Sequence, residues 1–207
     1  DGIRPTLKML KAAVGDDPML QARLKGVGVL TAEESISFCA LGPTSRASGV
    51  ARDVRRDCPY GAYDRVAWDM IVGSAGDVFD KALVRIDEVL QSLRIMQQCL
   101  ENLPEGPIDL NLESIPVGEG IGQIEAPRGE CFHYVLSDGT NRPARHKVRA
   151  PTFMNLPTFK ATVVGETIAD AAIILAAIDP CYCCTERMVV CGLDGSRRYE
   201  GWELVRL

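Results

Sequence analysis

The sequence predicts an α+β fold, mainly helical, and three observations carry that expectation. Apolar residues recur at helical spacing through a long stretch, Phe79, Leu83, Ile86, Leu90, Leu93, Met96 and Leu100, which makes a long core helix. Residues 122–150 alternate and turn as a small antiparallel β region. A C-terminal helix, "GETIADAAIILAAID", runs straight into a Cys-x-x-Cys pair, Cys181 and Cys184.

The elements follow in order. "PTLKMLKAAV" and "DPMLQARLK" read as short helices, the second capped by Asp17 with Pro18 at its first position, where the missing N–H costs nothing. "TAEESISFCAL" is a third, with Thr31 and Glu34 in capping-box spacing. Residues 42–69 are rich in Gly, Pro, Arg and Asp without a period and read as a long irregular segment. Its charge run "ARDVRRD" is expected to be a solvated face, with a subunit interface or proton route as the alternative. Ser74 and Asp77 read as a capping box for the long helix, and Pro104 and Gly106 stop it. Met96 and Cys99 belong to its core side on this reading. In the β region one run passes through Tyr134 and Leu136, turns at Ser-Asp-Gly and returns as "RHKVRA".

Bulk properties exclude several classes. With 207 residues and 46% apolar content the chain can bury a core, and a net charge of −5 argues against nucleic acid as a partner. No apolar run reaches the roughly eighteen residues that span a bilayer. The first residues, "DGIRPTLKML", lack a signal peptide and read as a boundary within a longer polypeptide. Eight cysteines in so long a chain, with ample core and no export signal, do not make a disulfide scaffold.

Three of those cysteines, Cys181, Cys183 and Cys184, fall within four positions. The spacing of Cys181 and Cys184 lets two thiolates converge on one metal or act as a dithiol, with Cys183 pointing away. Structural zinc needs two more ligands. Cys39, Cys58, Cys99 and Cys131 are each isolated, and His133 and His146, thirteen positions apart, read as structural. A thioredoxin-type pair would open a helix after a strand, whereas this one follows a helix. The pair is therefore half of a thiolate site for a soft or borderline metal: zinc, copper(I), iron–sulfur or nickel.

"DPCYCCTERM" resembles the C-terminal metal motif of nickel–iron hydrogenase large subunits, in particular the membrane-bound, energy-converting class that includes formate hydrogenlyase. "GPTSRASGVARDVRRDCPYGAYD", "GDVFDKALVRIDEVLQSLRIMQQCL", "EAPRGE" and "SDGTNRPARHKVRAPTF" resemble the same class and its relative, the quinone-site core subunit of respiratory complex I. The resemblance covers the chain from about residue 24, and the cysteine motif separates the two relatives, since complex I subunits have lost it.

The resemblance implies that residues 1–207 are the C-terminal portion of a hydrogenase large subunit, with a metal segment at 179–187 and a removable extension at 188–207. It implies a nickel–iron centre with cyanide and carbonyl ligands, Cys181 as a terminal ligand of nickel and Cys184 as a bridging one, the other two thiolates coming from a segment absent here. The isolated chain is then inactive. Pro127 and Arg128 overhang the site, Arg128 hydrogen-bonding one cyanide and assisting proton movement. Thr152 binds the other cyanide beside Pro151, which excludes water. The implied reaction is reversible cleavage of dihydrogen. Implied partners are an iron–sulfur small subunit, the membrane subunits of a hydrogenase complex, a maturation protease that cuts after Arg187, and nickel chaperones. The implied location is cytoplasmic, peripheral on the membrane through those partners. The alternatives are a metal-free complex-I-like quinone oxidoreductase subunit and a zinc-binding interaction module.

Overall fold

The computed structural model describes residues 2–109, 112, 114–185, 188–192 and 195–199. Helix α1 spans Ile3–Asp16 and α2 spans Pro18–Leu24. Asp17 caps α2 as its sequence position suggests, its carboxylate accepting from the backbone of Met19 at 2.7 Å and Leu20 at 3.1 Å. Thr31 and Glu34 form the full capping box of α3, Ala32–Ser37. Residues 42–69 are less irregular than expected, because two short helices, α4 (Gly42–Ala47) and α5 (Val54–Asp57), interrupt them.

The long helix α6 is Val78–Glu101. Its cap is Asp77, which accepts from the Asp80 N–H at 2.8 Å; Ser74 instead donates its N–H to the Asp80 carboxylate at 2.9 Å. The capping motif thus lies three positions later than the Ser74–Asp77 box. Only the first half of the helix and Ile95 are buried. Met96, expected in the core, is 58% exposed and Leu100 73%. The apolar period continues to the end of α6, but the start of α1, which meets that end through Arg4 and Gln97, leaves Met96 and Leu100 uncovered.

Strands β1 (Gly118–Ala126), β2 (Gly129–Ser137) and β3 (Pro143–Arg149) form an antiparallel meander. The β region begins four residues before the expected 122, and a turn at Pro127-Arg128 divides it into a third strand. Helices α7 (Pro151–Asn155) and α8 (Thr158–Val163) follow, placing Thr152 in a helix. Then come α9 (Ile168–Ile178) and the single turn α10 (Tyr182–Thr185). Strands β4 (Met188–Gly192) and β5 (Gly195–Tyr199) pair antiparallel.

The core gathers Leu24, Val78, Phe79 and Ile174, with Leu83, Phe159, Val163 and Ala177 against them. It lies where α2, the start of α6, α8 and α9 meet. Each such side chain, fully buried, contributes roughly 1.5–3 kcal/mol. The core therefore fixes the direction in which α9 delivers the cysteine pair. Among the described residues no helix is long and apolar enough to cross a membrane.

Candidate metal centre at the Cys181–Cys184 turn

Helix α9 stops at Asp179, whose backbone turns left-handed at φ 57° and ψ 58°, a conformation a short polar side chain tolerates. Pro180 follows, with no N–H to extend the helix. The chain re-enters a helical turn at once: the Cys184 N–H donates to the Cys181 carbonyl at 3.0 Å. One turn puts Cys181 and Cys184 on one side, both partly covered, and leaves Cys183 exposed. The pair follows a helix, as read from the sequence, and it also begins a short one.

The two thiols act on each other's acidity. A hydrogen bond from the Cys184 thiol, helped by the Cys184 backbone N–H and the Arg128 guanidinium, holds Cys181 below the usual thiol range. The same bond, with burial and the nearby Cys181 charge, pushes Cys184 up to about 11. Two thiols on one side of a turn, one made more acidic and one less, suit a soft metal, whose binding releases their protons.

Arg128 and Thr152 hold this turn. The Arg128 Nε–H donates to the Asp179 carbonyl at 2.6 Å and Nη2 to its carboxylate at 3.1 Å, clamping the residue that redirects the chain. Thr152, 1% exposed, accepts from the Cys181 N–H at 3.1 Å. Its hydroxyl hydrogen stays available, so Thr152 can support the cysteine turn and still donate outward. Pro151 is buried at the first position of α7, whereas Pro127 is exposed at the β1–β2 turn.

A second layer fixes Arg128. Asn155, 1% exposed, accepts from the Leu41 N–H at 2.7 Å and donates to the Leu41 and Arg128 carbonyls at 3.2 and 3.1 Å. Gly42 and Gly129 let those two segments touch: a Cβ on Gly42 would lie 2.4 Å from the Gly129 Cα and 2.6 Å from the Arg128 oxygen. Nothing in the sequence pattern singled out Asn155, because its partners are remote in the chain.

Beyond the Pro127 turn lies a buried charge cluster. Arg46, its side chain 1% exposed, meets Glu88 at 2.6 Å, Glu125 at 2.8 Å and Asp53 at 3.1 Å. Arg55 binds Asp53 through two nitrogens, at 2.9 and 2.6 Å. The "ARDVRRD" run is thus not simply a solvated face: Asp53 is fully enclosed. Burial alone would lower the Arg46 pKa, but the three carboxylates overcome it and raise it. Burial also raises Glu88 and Glu125, with Arg46 opposing. A cavity of about 400 Å³ runs between this cluster and the cysteine turn, lined by Arg55, Arg85, Glu88, Glu125, Pro127 and Asp179 among others.

His133 and His146 are brought together by the β2–β3 pairing. Their rings stack, with His133 Nδ1 3.0 Å from His146 Nε2 and His133 Nε2 3.4 Å from Cys131 Sγ. Even so, no three His, Cys, Asp or Glu side chains converge to hold a metal among the described residues. Arg128 and Thr152 both touch the turn that carries Cys181 and Cys184, the first at Asp179 and the second at the Cys181 N–H. Arg187, the expected cleavage point, lies outside the described residues.

The family model for "Respiratory-chain NADH dehydrogenase, 49 Kd subunit" matches residues 1–114 and 110–187. A carbon monoxide-induced hydrogenase of Rhodospirillum rubrum is 40% identical over 189 residues, covering 90% of this chain and 52% of that protein. An NADH-quinone oxidoreductase subunit of Clostridium beijerinckii is 41% identical over 165 residues, covering 78% of this chain and 45% of that protein. An NADH-quinone oxidoreductase subunit of Roseiflexus sp. is 42% identical over 175 residues, covering 79% and 47%. The chain spans about half the length of the curated relatives it matches. Through the elements that build the cysteine turn and the charge cluster, this chain belongs to the family of the 49 kDa subunit of respiratory-chain NADH dehydrogenase.

Proposed function

We propose that this chain is part of the catalytic large subunit of a nickel–iron hydrogenase. The observation that carries the reading is the single turn that sets Cys181 and Cys184 on one side, clamped by Arg128 through Asp179. The relative named a carbon monoxide-induced hydrogenase supports it. The donor set fits half of a four-thiolate centre, and the remaining thiolates come from elsewhere in the complete protein.

A nickel–iron centre, when bound, supplies the reversible cleavage of dihydrogen. Cys181 and Cys184 hold it as soft anionic ligands. Arg128 keeps N–H groups beyond its two bonds to Asp179 and presents a fixed positive charge at the open side. Its planar donors suit a diatomic anionic ligand such as cyanide better than a lysine would. Thr152, whose oxygen fixes the Cys181 N–H, would donate its hydroxyl hydrogen to a second such ligand. Buried Pro151 offers no N–H and limits water at the site, while Pro127 shapes the turn that presents Arg128. Electrons leave to an iron–sulfur cluster of a partner small subunit. The other proposed partners are membrane subunits, which hold the complex at the cytoplasmic face, and during assembly nickel chaperones and a protease that removes residues 188–207 after Arg187.

The test is metal analysis and infrared spectroscopy of the native complex. Stoichiometric nickel is expected, with iron in excess from the iron–sulfur partner, and cyanide and carbonyl bands. Cys184→Ser should lose the metal, whereas Arg128→Lys should keep it and lose most turnover. A native complex without nickel refutes the reading. In that outcome the second reading, a metal-free quinone oxidoreductase subunit, stands, as the two NADH-quinone oxidoreductase relatives suggest. Quinone-linked activity would then survive Cys184→Ser.

A further inference from the structure

The cavity between the charge cluster and the cysteine turn has two carboxyl groups on its wall, and they are not equivalent. Glu125 uses both oxygens: Oε1 accepts from Arg46 at 2.8 Å and Oε2 from the Val54 N–H at 3.2 Å. Glu88 takes both Arg46 contacts, at 2.7 and 2.6 Å, on Oε1 alone. Its Oε2 has no hydrogen-bond partner among the described residues. Across the cavity stand Asp179 and Pro127, which border the cysteine turn. Arg85, one helical turn before Glu88 on α6, lines the same space, and its buried Nε–H has no partner among the described residues.

We propose that Glu88 is a proton-exchanging carboxyl of this site, carrying a proton on Oε2 between the cysteine turn and water in the cavity. The space is large enough for several waters, and the Arg85 Nε–H and Glu88 Oε2 are polar groups that would hold them. The step is a proton transfer alone: the carboxylate oxygen gains a proton, forms an O–H bond and later gives the proton to water. Glu88 is neither oxidised nor reduced. Dihydrogen cleavage yields two protons, which Glu88 passes on to water one after the other, and two electrons, which leave to the iron–sulfur partner, so the source of the protons rests on the function proposed above.

The surroundings suit a group that changes charge. Burial raises the Glu88 pKa and Asp53 raises it further, while Arg46 and Arg55 oppose. Asp179 and Arg85 face the same cavity, and Glu125 is held by Arg46 across the cluster. Protonating Glu88 therefore leaves Arg46 paired to Asp53 and Glu125, and the cluster keeps two of its three ion pairs.

Two experiments test this. In the native complex, difference infrared spectroscopy between acid and neutral pH should find a carboxyl stretch that gains and loses a proton, shifts in heavy water and is absent from Glu88→Gln. If the band is missing, or survives Glu88→Gln, the proposal fails whatever the metal chemistry. In the native complex, exchange between deuterium gas and solvent should fall at least tenfold in Glu88→Gln. Nickel content and cyanide bands should be unchanged, and Glu88→Asp should recover most of the rate. Full exchange in a nickel-loaded Glu88→Gln complex overturns the role of Glu88 alone. A wild-type complex without nickel overturns the function proposed above and, with it, dihydrogen as the proton source.

Discussion

Gly42→Ala puts the placement of Arg128 to a direct test. Gly42 opens α4 with φ 64°, and its missing side chain leaves room for the Arg128–Gly129 turn. An alanine Cβ would stand 2.4 Å from the Gly129 Cα and 2.6 Å from both the Arg128 oxygen and the Gly129 nitrogen. All three are backbone atoms, so no rotamer change relieves the clash. The left-handed backbone costs alanine about 1–2 kcal/mol. Forcing a carbon into a packed contact costs about 1–3 kcal/mol more. The sum is roughly 2–5 kcal/mol, and relaxation means parting the turn from α4, which strains the Asn155 bridge between Leu41 and Arg128. Urea denaturation of both proteins, with amide hydrogen exchange at Leu41, measures it. We expect a lower midpoint with the same slope, and faster Leu41 exchange. A loss under about 1 kcal/mol would show that the two segments do not touch as described.

Further outcomes follow from other residues. Lys81, 1% exposed with Nζ 2.8 Å from the Gly28 carbonyl, is lowered by burial and by Arg85 to about 8. A lysine whose folded pKa is depressed destabilises the fold while charged. Wild-type stability relative to Lys81→Met should therefore rise from about pH 8 to the unfolded value near 10.5, by about 3 kcal/mol at the limit. A flat difference in denaturation across that range would contradict it. Arg46→Met leaves Asp53, Glu88 and Glu125 facing one another without their shared cation and should cost about 3–5 kcal/mol in thermal or urea unfolding at pH 7. That cost should shrink at acid pH, because the raised pKa values of Glu88 and Glu125 let them take up protons early. Thr152→Val removes the acceptor of the Cys181 N–H and should speed its amide exchange, whereas Thr152→Ser should not; equal exchange in both variants would deny Thr152 its place under the turn.

Much of the fold was legible where the deciding forces are short-range. Asp17, Thr31 and Glu34 cap their helices because a side-chain oxygen and an N–H two or three residues on can meet only in that geometry. The long helix was legible from its period, but not how deeply it is buried. Met96 and Leu100 keep the spacing of a core face and still lie exposed, since burial depends on what packs against them. The turn at Pro127-Arg128 was read for its chemistry and missed as a strand boundary. Beta pairing there is decided by the register of β1 against β2, which no local pattern states.

The sequence by itself determined the mainly helical α+β class and the one-turn spacing of Cys181 and Cys184, both set by neighbours a few residues apart. Tertiary structure alone decided what surrounds the pair. It joined Arg128 to Asp179 across 51 positions and Asn155 to Leu41 across 114. It also enclosed Arg46 among three carboxylates and set His133 against His146. The physical reason is that a buried polar group must find a partner wherever packing brings one near. Which partner that is depends on how the helices and the sheet pack, information spread along the whole chain.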